Sequence, residues 1–366
     1  MNIVFVNSTK SWGGIKTWML ELGTFLAQRG HQVALVCRRK DALIEECEKR
    51  RLPCVPLHFG LDFSPATIAW FYHFFHTQQT EAVVTNVSKD LCTAGVAARL
   101  SGIVHINRLG IVRDLKNTLK DRLLYTLLVD RVFVPSQSLY DHFSRYEFLQ
   151  SKLRWFHNAL VPPPFSLPQN PVVKFAIVAK LTPRKQVDKI LQVFHRLQDC
   201  SWELHIGGFG PEMEALQTLT RKLHLEQRVF FAGQVNPYEF LPDKDVGLLY
   251  STDEGLSYAL VEYMGMCCAV IASHVGGTPE LVEHGVSGLL VDPYRLDDLE
   301  QAIRLLIQDS QQREILARNG YERGCSQFNQ QTIFAQIEAE IRRTIAEKIP
   351  GDNSHKSADL QVLPEL

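Results

Sequence analysis

The stretch Ala159–Pro171, ALVPPPFSLPQNP, holds five prolines in thirteen residues. Proline fixes φ and lacks the amide donor, so this segment is neither interior helix nor central strand. It reads as a connector, and on both sides of it the chain alternates short apolar runs with helical patterns. Before it, strands are predicted at 3–7, 32–37, 82–86, 104–107 and 131–135. A helix follows the Gly13-Gly14 loop, with Trp18, Leu22, Phe25 and Leu26 at three- and four-residue steps, and stops at Gly30. After the connector the alternation restarts, with strands at 174–179, 202–207, 228–232, 246–250, 269–273 and 288–291 and helices over 185–197 and 211–223. Near-continuous apolar strands alternating with helices give parallel sheets covered on both faces. The fold class is therefore α/β, with two doubly wound Rossmann-like domains facing a cleft. The N-terminal domain spans 1–160, the proline-rich linker 161–171 and the C-terminal domain 172–329. An amphipathic helix over 330–348 follows, and the polar segment 349–366 is expected to be a disordered tail. Open α/β sheets bind ligands at the carboxyl ends of their strands, so both domains are expected to contribute to the cleft.

Composition narrows the function classes. The 366 residues carry 39 Lys and Arg against 40 Asp and Glu, a net charge of −1, which argues against bulk-charge binding of nucleic acid. The apolar start, MNIVFVNSTK, has no basic segment ahead of it and reads as a buried strand, not a signal peptide. No run approaches the roughly 20 apolar residues of a membrane span; the most aromatic one, 68–75 (IAWFYHFF), is too short and contains His73. Eight cysteines without CxxC spacing read as free thiols, and a cytoplasmic location is expected.

Chemistry concentrates in 254–273, EGLSYALVEYMGMCCAVIAS. Glu254 and Glu262 lie eight apart, and Gly255, Leu256 and Ser257 between them suit a turn into a helix N-terminus. Free amides there, with the positive end of the helix dipole, suit a diphosphate. Glu254 is expected in the loop at the cleft, and Glu262 about two turns down the helix, accepting from a diol. Spacing alone leaves a second reading open, in which both are solvated helix-end glutamates. Lys180, Arg184 and Lys185 follow a strand end directly; they read as cations aimed at the cleft or as a solvated basic loop. Gly13-Gly14 permits close approach of a ligand to the backbone, or is a plain glycine turn. The segment 276–280, GGTPE, reads as a helix start, with proline at its first position. Gly208-Phe209-Gly210 lacks the third glycine of a dinucleotide fingerprint, since Met213 occupies that place. Asp243-Lys244-Asp245 formally matches a metal-binding DxD pattern but directly precedes a strand. Surface carboxylates are the better reading, and no metal is expected.

The order and spacing of these segments resemble the retaining, GT-B-fold glycosyltransferases of family four (glycosyl transferases group 1). The likeness runs to about residue 345. It takes in Gly13-Gly14, Arg29-Gly30-His31, Phe156-His157-Asn158, Ala179-Lys180-Leu181 with Lys185, Gly207–Glu212, Glu254-x7-Glu262 and Gly276–Glu280. The resemblance implies that Glu262 binds the donor ribose and Glu254 the donor-sugar hydroxyls. It implies that Lys180, standing where relatives carry arginine, and Lys185 hold the diphosphate, with Gly13, Gly14, Gly208 and Gly277 facing the donor. Many relatives carry a histidine after the strand near residue 105. Here His105 lies within the strand, as a core histidine or a donor-sugar contact, and Arg108 nearer the strand end could meet the donor or an anionic acceptor. His31 and His157 read as turn residues.

The function this implies is transfer of a sugar from a nucleotide-diphosphate donor to a hydroxyl acceptor with retention, without a required cofactor. The usual setting of such relatives is bacterial lipopolysaccharide, exopolysaccharide or glycolipid synthesis. Expected partners are a nucleotide sugar and a saccharide or glycolipid acceptor, with no nucleic acid. The basic stretch Arg108, Arg113, Lys116, Lys120 and Arg122 could meet a phosphorylated glycolipid or a membrane headgroup at the inner face, or be solvated. The rival readings are a sugar-nucleotide epimerase or hydrolase on the same fold and a non-catalytic sugar-nucleotide-binding subunit.

Overall fold

A computed structural model describes residues 1–10 and 12–348; the expected tail, 349–366, lies outside the described residues. Thirteen strands among the described residues form two all-parallel sheets. The first contains β1 (Asn2–Asn7), β2 (Gln32–Arg38), β3 (Cys54–Leu57), β4 (Ala82–Thr85), β5 (Val104–Arg108), β6 (Arg131–Val134) and β7 (Leu153–Trp155), in the order β3-β2-β1-β4-β5-β6-β7. The second contains β8 (Val173–Val178), β9 (Trp202–Gly207), β10 (Val229–Gly233), β11 (Val246–Leu249), β12 (Ala269–Ser273) and β13 (Leu289–Val291), in the order β10-β9-β8-β11-β12-β13. The chain winds outward in one direction from β1 and then in the other from β4, and does the same from β8 and β11. Each reversal opens a crevice at the strands' carboxyl ends, where doubly wound sheets bind ligands.

The strand pattern of the sequence finds all six strands of the second sheet and the five inner strands of the first. It misses β3 and β7, which are the two edges of the first sheet. Edge strands pair on one side only, are short, and need no continuous apolar run. β3 even carries Pro56, a residue tolerated at an edge. The aromatic run 68–75 belongs to the helix Pro65–Thr77, which starts at Ser64 with Pro65 in its first turn and buries Phe71 and Phe75 against the first sheet. No described helix is long and apolar enough to cross a membrane.

The two sheets share one apolar core. Phe5, Trp18, Phe25 and Leu26 of the N-terminal half join Leu256, Leu260 and Met264 of the C-terminal half in a single buried cluster. The helix Gln330–Lys348 returns from the second sheet to pack on the first half. Phe334 meets Phe25 edge-on at 5.5 Å between ring centroids. Its Glu338 accepts from Arg29 at 2.5 Å and pairs with His31 at 2.9 Å, and Lys348 reaches Asp130 at 2.6 Å. The two crossings between the halves run side by side, bridged by Leu160 and Asn329.

Candidate active site

Residues from the β8/β11 crevice build one wall of the site. Chain leaving β8 forms the turn Pro183–Lys185, and chain leaving β11 brings Glu254 opposite it. The Lys185 ammonium donates to Glu254 Oε1 at 2.6 Å, and Arg184 lies 3.0 Å from the same oxygen. The turn is fixed by Thr252 N–H donating to the Arg184 carbonyl at 3.0 Å. Both partners are enclosed, with Glu254 side-chain exposure of 6% and Lys185 of 10%. Burial pushes the Glu254 carboxyl up, but Lys185 and Arg184 outweigh it and hold the group below the usual glutamate range. Burial in turn pulls the Lys185 ammonium down, opposed by Glu254. A buried carboxylate shared by two cations is a charge arrangement that a second anion can enter, since one acid does not neutralise both bases. Lys180 is exposed two residues beyond β8.

The opposite wall comes from the β1/β4 crevice. Gly13, extended at φ −179°, precedes the helix Gly14–Gln28, and a Cβ on Gly13 would meet nothing within 4 Å. Gly14 is different: a Cβ there would lie 3.2 Å from the Tyr258 ring of the other half. Contact between the walls is tight. A Cβ on Gly255 would fall 1.8 Å from the Gly110 carbonyl oxygen. One on Gly276, whose φ is +50°, would fall 1.7 Å from the Glu254 carbonyl oxygen. Gly277 N–H donates to the Gly255 carbonyl at 2.9 Å, so the GGTPE loop props the Glu254 loop from behind. Gly208 follows β9 and lies against the Ala179 carbonyl, beside Lys180.

Glu262 sits in the helix Tyr258–Gly265, one turn from its start; the two turns expected from sequence are too many, because Gly255–Ser257 are loop. Ser257 is the N-cap residue but makes no side-chain cap bond. Burial, then the nearby Glu21 carboxylate, raises the Glu262 carboxyl to about 7. Glu21 comes from the Gly14–Gln28 helix and is held by Arg50 at 2.8 Å and by the Gln330 amide at 3.1 Å. Nothing in the sequence pairs Glu21 with Glu262, because the two meet only across the seam.

His105, read as a core histidine or a donor-sugar contact, and Arg108, read toward the donor or an anionic acceptor, are both buried. His105 is fully buried in β5, its Nε2 2.8 Å from the Thr85 hydroxyl and its Nδ1 2.7 Å from the Leu128 carbonyl, with burial pulling its pKa down to about 4. It is a core histidine with both ring nitrogens bonded. Arg108 ends β5 but is only 4% exposed. Its guanidinium lies over the Trp18 ring at 4.6 Å and donates to Asn158 Oδ1 at 3.0 Å, while Asn158 donates to the Leu256 carbonyl at 2.7 Å. Arg108 therefore braces the two halves together.

The histidines read as turn residues also join the halves. His31 meets Glu338, and His157 Nε2 lies 3.1 Å from Glu280. Glu280 was legible only as an acid in its own helix start. In the structure its carboxylate accepts from Gln137 N and Ser138 N, each at 2.8 Å, so it caps a helix of the other half. The signal that could have found it is the uncapped pair of amides after Ser136, visible only once the halves are docked. Asp243 pairs with Lys174 and Lys244, while Asp245 accepts from Lys174 N and Asn170. Both acids of the DxD pattern thus serve the entry to β11. A cavity of about 330 Å³ lies at the carboxyl ends of β2 and β3. Lys10, Arg38, Arg39 and Lys40 line it, with Asp41 as the acid. Asp41 is already held by the buried Lys16 at 2.6 Å, so the lining is cationic.

Two facing parallel-sheet domains, each with its crevice turned to the other, define the GT-B class. Solved structures share this fold. Anabaena HepE in complex with UDP-glucose aligns with a TM-score of 0.82 at 19% identity, over 94% of this chain and 100% of that one. A glycosyltransferase from Rickettsia africae aligns with a TM-score of 0.80 at 14% identity, over 94% and 98%. Residues 12–161 match the family described as Glycosyltransferase Family 4, and residues 166–323 match Glycosyl transferases group 1. The N-terminal half of the chain is thus a Glycosyltransferase Family 4 domain and the C-terminal half a Glycosyl transferases group 1 domain. Among its curated relatives, an N-acetyl-alpha-D-glucosaminyl L-malate synthase of Bacillus anthracis is 32% identical over 157 residues, which is 42% of this chain and 41% of that protein. The lipopolysaccharide core biosynthesis glycosyltransferase LpsD of Rhizobium meliloti is 32% identical over 168 residues, 45% of this chain and 48% of that protein. The matches thus span less than half the length of these relatives.

Proposed function

We propose that this chain transfers a sugar from a nucleotide-diphosphate donor to a hydroxyl acceptor with retention at the anomeric carbon. The observation that carries the reading is the buried Glu254 carboxylate shared by Lys185 and Arg184 at the β8/β11 crevice. The donor diphosphate enters beside Lys180, Arg184 and Lys185, near the backbone of Gly208 and Gly277. It draws Lys185 partly away from Glu254, whose carboxylate then accepts from the sugar hydroxyls. Glu262, ionised, accepts from the ribose diol. The acceptor oxygen attacks the anomeric carbon on the face the diphosphate leaves. As that carbon–oxygen bond breaks, its electron pair goes to the leaving phosphate oxygen, which takes the acceptor proton. The fixed cations stabilise the charge developing on that oxygen, which supplies the catalysis without a metal. Arg108 and His105 take no part in these steps.

Kinship with LpsD and with putative colanic acid glycosyltransferases favours a saccharide or glycolipid acceptor in bacterial surface-polysaccharide synthesis. The cationic cavity beside Lys10 and Arg39 gives an acceptor bearing an anionic group a place to bind. Eight free thiols fit a reducing cytoplasm. The test is turnover of a panel of nucleotide sugars with and without saccharide acceptors. Lys185→Ala is expected to lower turnover by about a hundredfold or more while the protein stays folded. Acceptor-independent alteration of the donor sugar would instead make the chain an epimerase or hydrolase. Equal turnover by wild type and Lys185→Ala would remove the site.

A further inference from the structure

The helix Leu119–Leu128 is apolar on two sides. Leu124 and Tyr125 are buried, as a surface helix requires. Its outer face, however, carries Leu119, Leu123 and Leu127, exposed by 74%, 53% and 60%. Spaced four apart, they form one stripe spanning about 80° of the helix circumference. Lys120 and Arg122 flank the stripe on either side, and Lys116 stands just ahead of it; all three are exposed. A neighbouring loop extends the patch. Leu61, 84% exposed, and Phe63 sit at its tip, and the Lys120 ammonium lies 5.4 Å from the Phe63 ring centroid.

Acids on this surface are bonded within the protein. The acids turn toward protein groups: Asp114 accepts from Gly110 N and Ile111 N, Asp121 caps the helix start at Thr118, and Asp62 is held by Lys89 and Lys120. Lys116 and Arg122 stand at the rim of the leucines with Lys120, which shares Asp62 with Lys89, in a chain whose overall charge is −1. Contiguous exposed apolar surface rimmed by one sign of charge marks an interaction face. A second copy of the chain would bring the Lys116, Lys120 and Arg122 sets together, so self-association is disfavoured. An anionic lipid surface satisfies both halves of the pattern at once: apolar side chains reach the boundary between headgroups and acyl chains, and lysine and arginine meet lipid phosphates.

We propose that this face docks the protein on an anionic bilayer, with Leu119, Leu123, Leu127, Leu61 and Phe63 inserted and Lys116, Lys120 and Arg122 on the headgroups. The patch adjoins the cleft: Arg113, in the loop before the helix, lies 3.9 Å from Asp253, the neighbour of Glu254. A lipid-borne hydroxyl acceptor held at the surface is thereby presented to the site. The docking itself requires no turnover, so it is tested apart from the sugar-transfer reading. Flotation of the full chain uses phosphatidylcholine vesicles, with and without about one-third phosphatidylglycerol. The chain is expected to float with the anionic vesicles and to lose more than about tenfold of that binding in Leu123→Glu/Leu127→Glu and in Lys120→Glu/Arg122→Glu. Thermal unfolding and nucleotide binding serve as folding controls. Equal flotation with and without phosphatidylglycerol, or variants that float like wild type, would overturn the proposal. So would a dimer that Leu123→Glu/Leu127→Glu dissolves, with no vesicle binding, which would make the face a contact between copies.

Discussion

Glu262 shows how one side chain can set the pH response of the site. Its carboxyl, raised to about 7 by burial and by Glu21, is protonated well above the usual glutamate range when no diol is bound. The folded state then holds a proton that the unfolded state releases. This contributes stability that is fully present below about pH 4.5 and is lost as pH rises through about 7. Nucleotide binding runs the other way, because the ribose diol needs the ionised acceptor. Between about pH 5 and 7 the unfolding temperature of wild type is expected to fall, relative to Glu262→Gln, while affinity for nucleoside diphosphates rises. Thermal melts and titration calorimetry across that range check both signs; parallel behaviour of wild type and Glu262→Gln would contradict them. His105 gives the complementary case. Removing its ring opens a cavity, takes the ring nitrogen from the Leu128 carbonyl and leaves the Thr85 hydroxyl with the Asn107 amide alone. His105→Ala is therefore expected to cost about 2–3 kcal/mol of stability in urea unfolding, with turnover per folded molecule unchanged.

Loops at the strand ends carry the next level of specification. Gly13 and Gly276 look alike in sequence, each in a glycine pair after a strand, but their surroundings differ. Gly13 is extended with open space around it, whereas Gly276 has φ +50° and no room for a Cβ against the Glu254 carbonyl. Gly13→Ala is expected to stay within about 0.5 kcal/mol of wild type and Gly276→Ala to lose about 2 kcal/mol or more, read by denaturant unfolding. The reverse order would mean that the GGTPE loop does not prop the Glu254 loop. At this scale the sequence was legible where one element carries its own pattern. The inner strands are continuous apolar runs, and the Gln330–Lys348 helix shows its ends and its amphipathic period. The edge strands β3 and β7 were not legible, since an edge needs only half the pairing and tolerates Pro56. Nor was the outer leucine stripe of Leu119–Leu128, because a helical period does not say which face a sheet will cover.

For the molecule as a whole, the unread information is relational. Glu254, Lys185, Arg184 and Glu262 stand out by residue type and spacing, and the structure brings Lys185 and Arg184 onto Glu254. Asn158, Tyr258, Glu21 and the cap that Glu280 gives the opposite half have no local signature. They acquire their roles only when the two sheets dock. Arg108 shows the same limit: a basic residue at a strand end points to a ligand, but here Trp18 and Asn158 take it. Docking depends on a few buried charges, of which Glu338 serves Arg29, His31 and Arg342 together. Glu338→Ala leaves these partners without their acid and is expected to cost about 3 kcal/mol in urea unfolding, whereas a loss under about 0.5 kcal/mol would deny the C-terminal helix its role as a clasp.

The central claim is that the two crevices together form the seat of a nucleotide-diphosphate sugar. A crystal structure with a non-transferable nucleoside diphosphate sugar bound tests it most directly. The expected result is the diphosphate on Lys180, Arg184 and Lys185 before the Gly13-Gly14 loop, the ribose on Glu262 and the sugar hydroxyls on Glu254. A donor bound elsewhere, with the Lys185–Glu254 pair still closed at 2.6 Å and untouched by ligand, would contradict it.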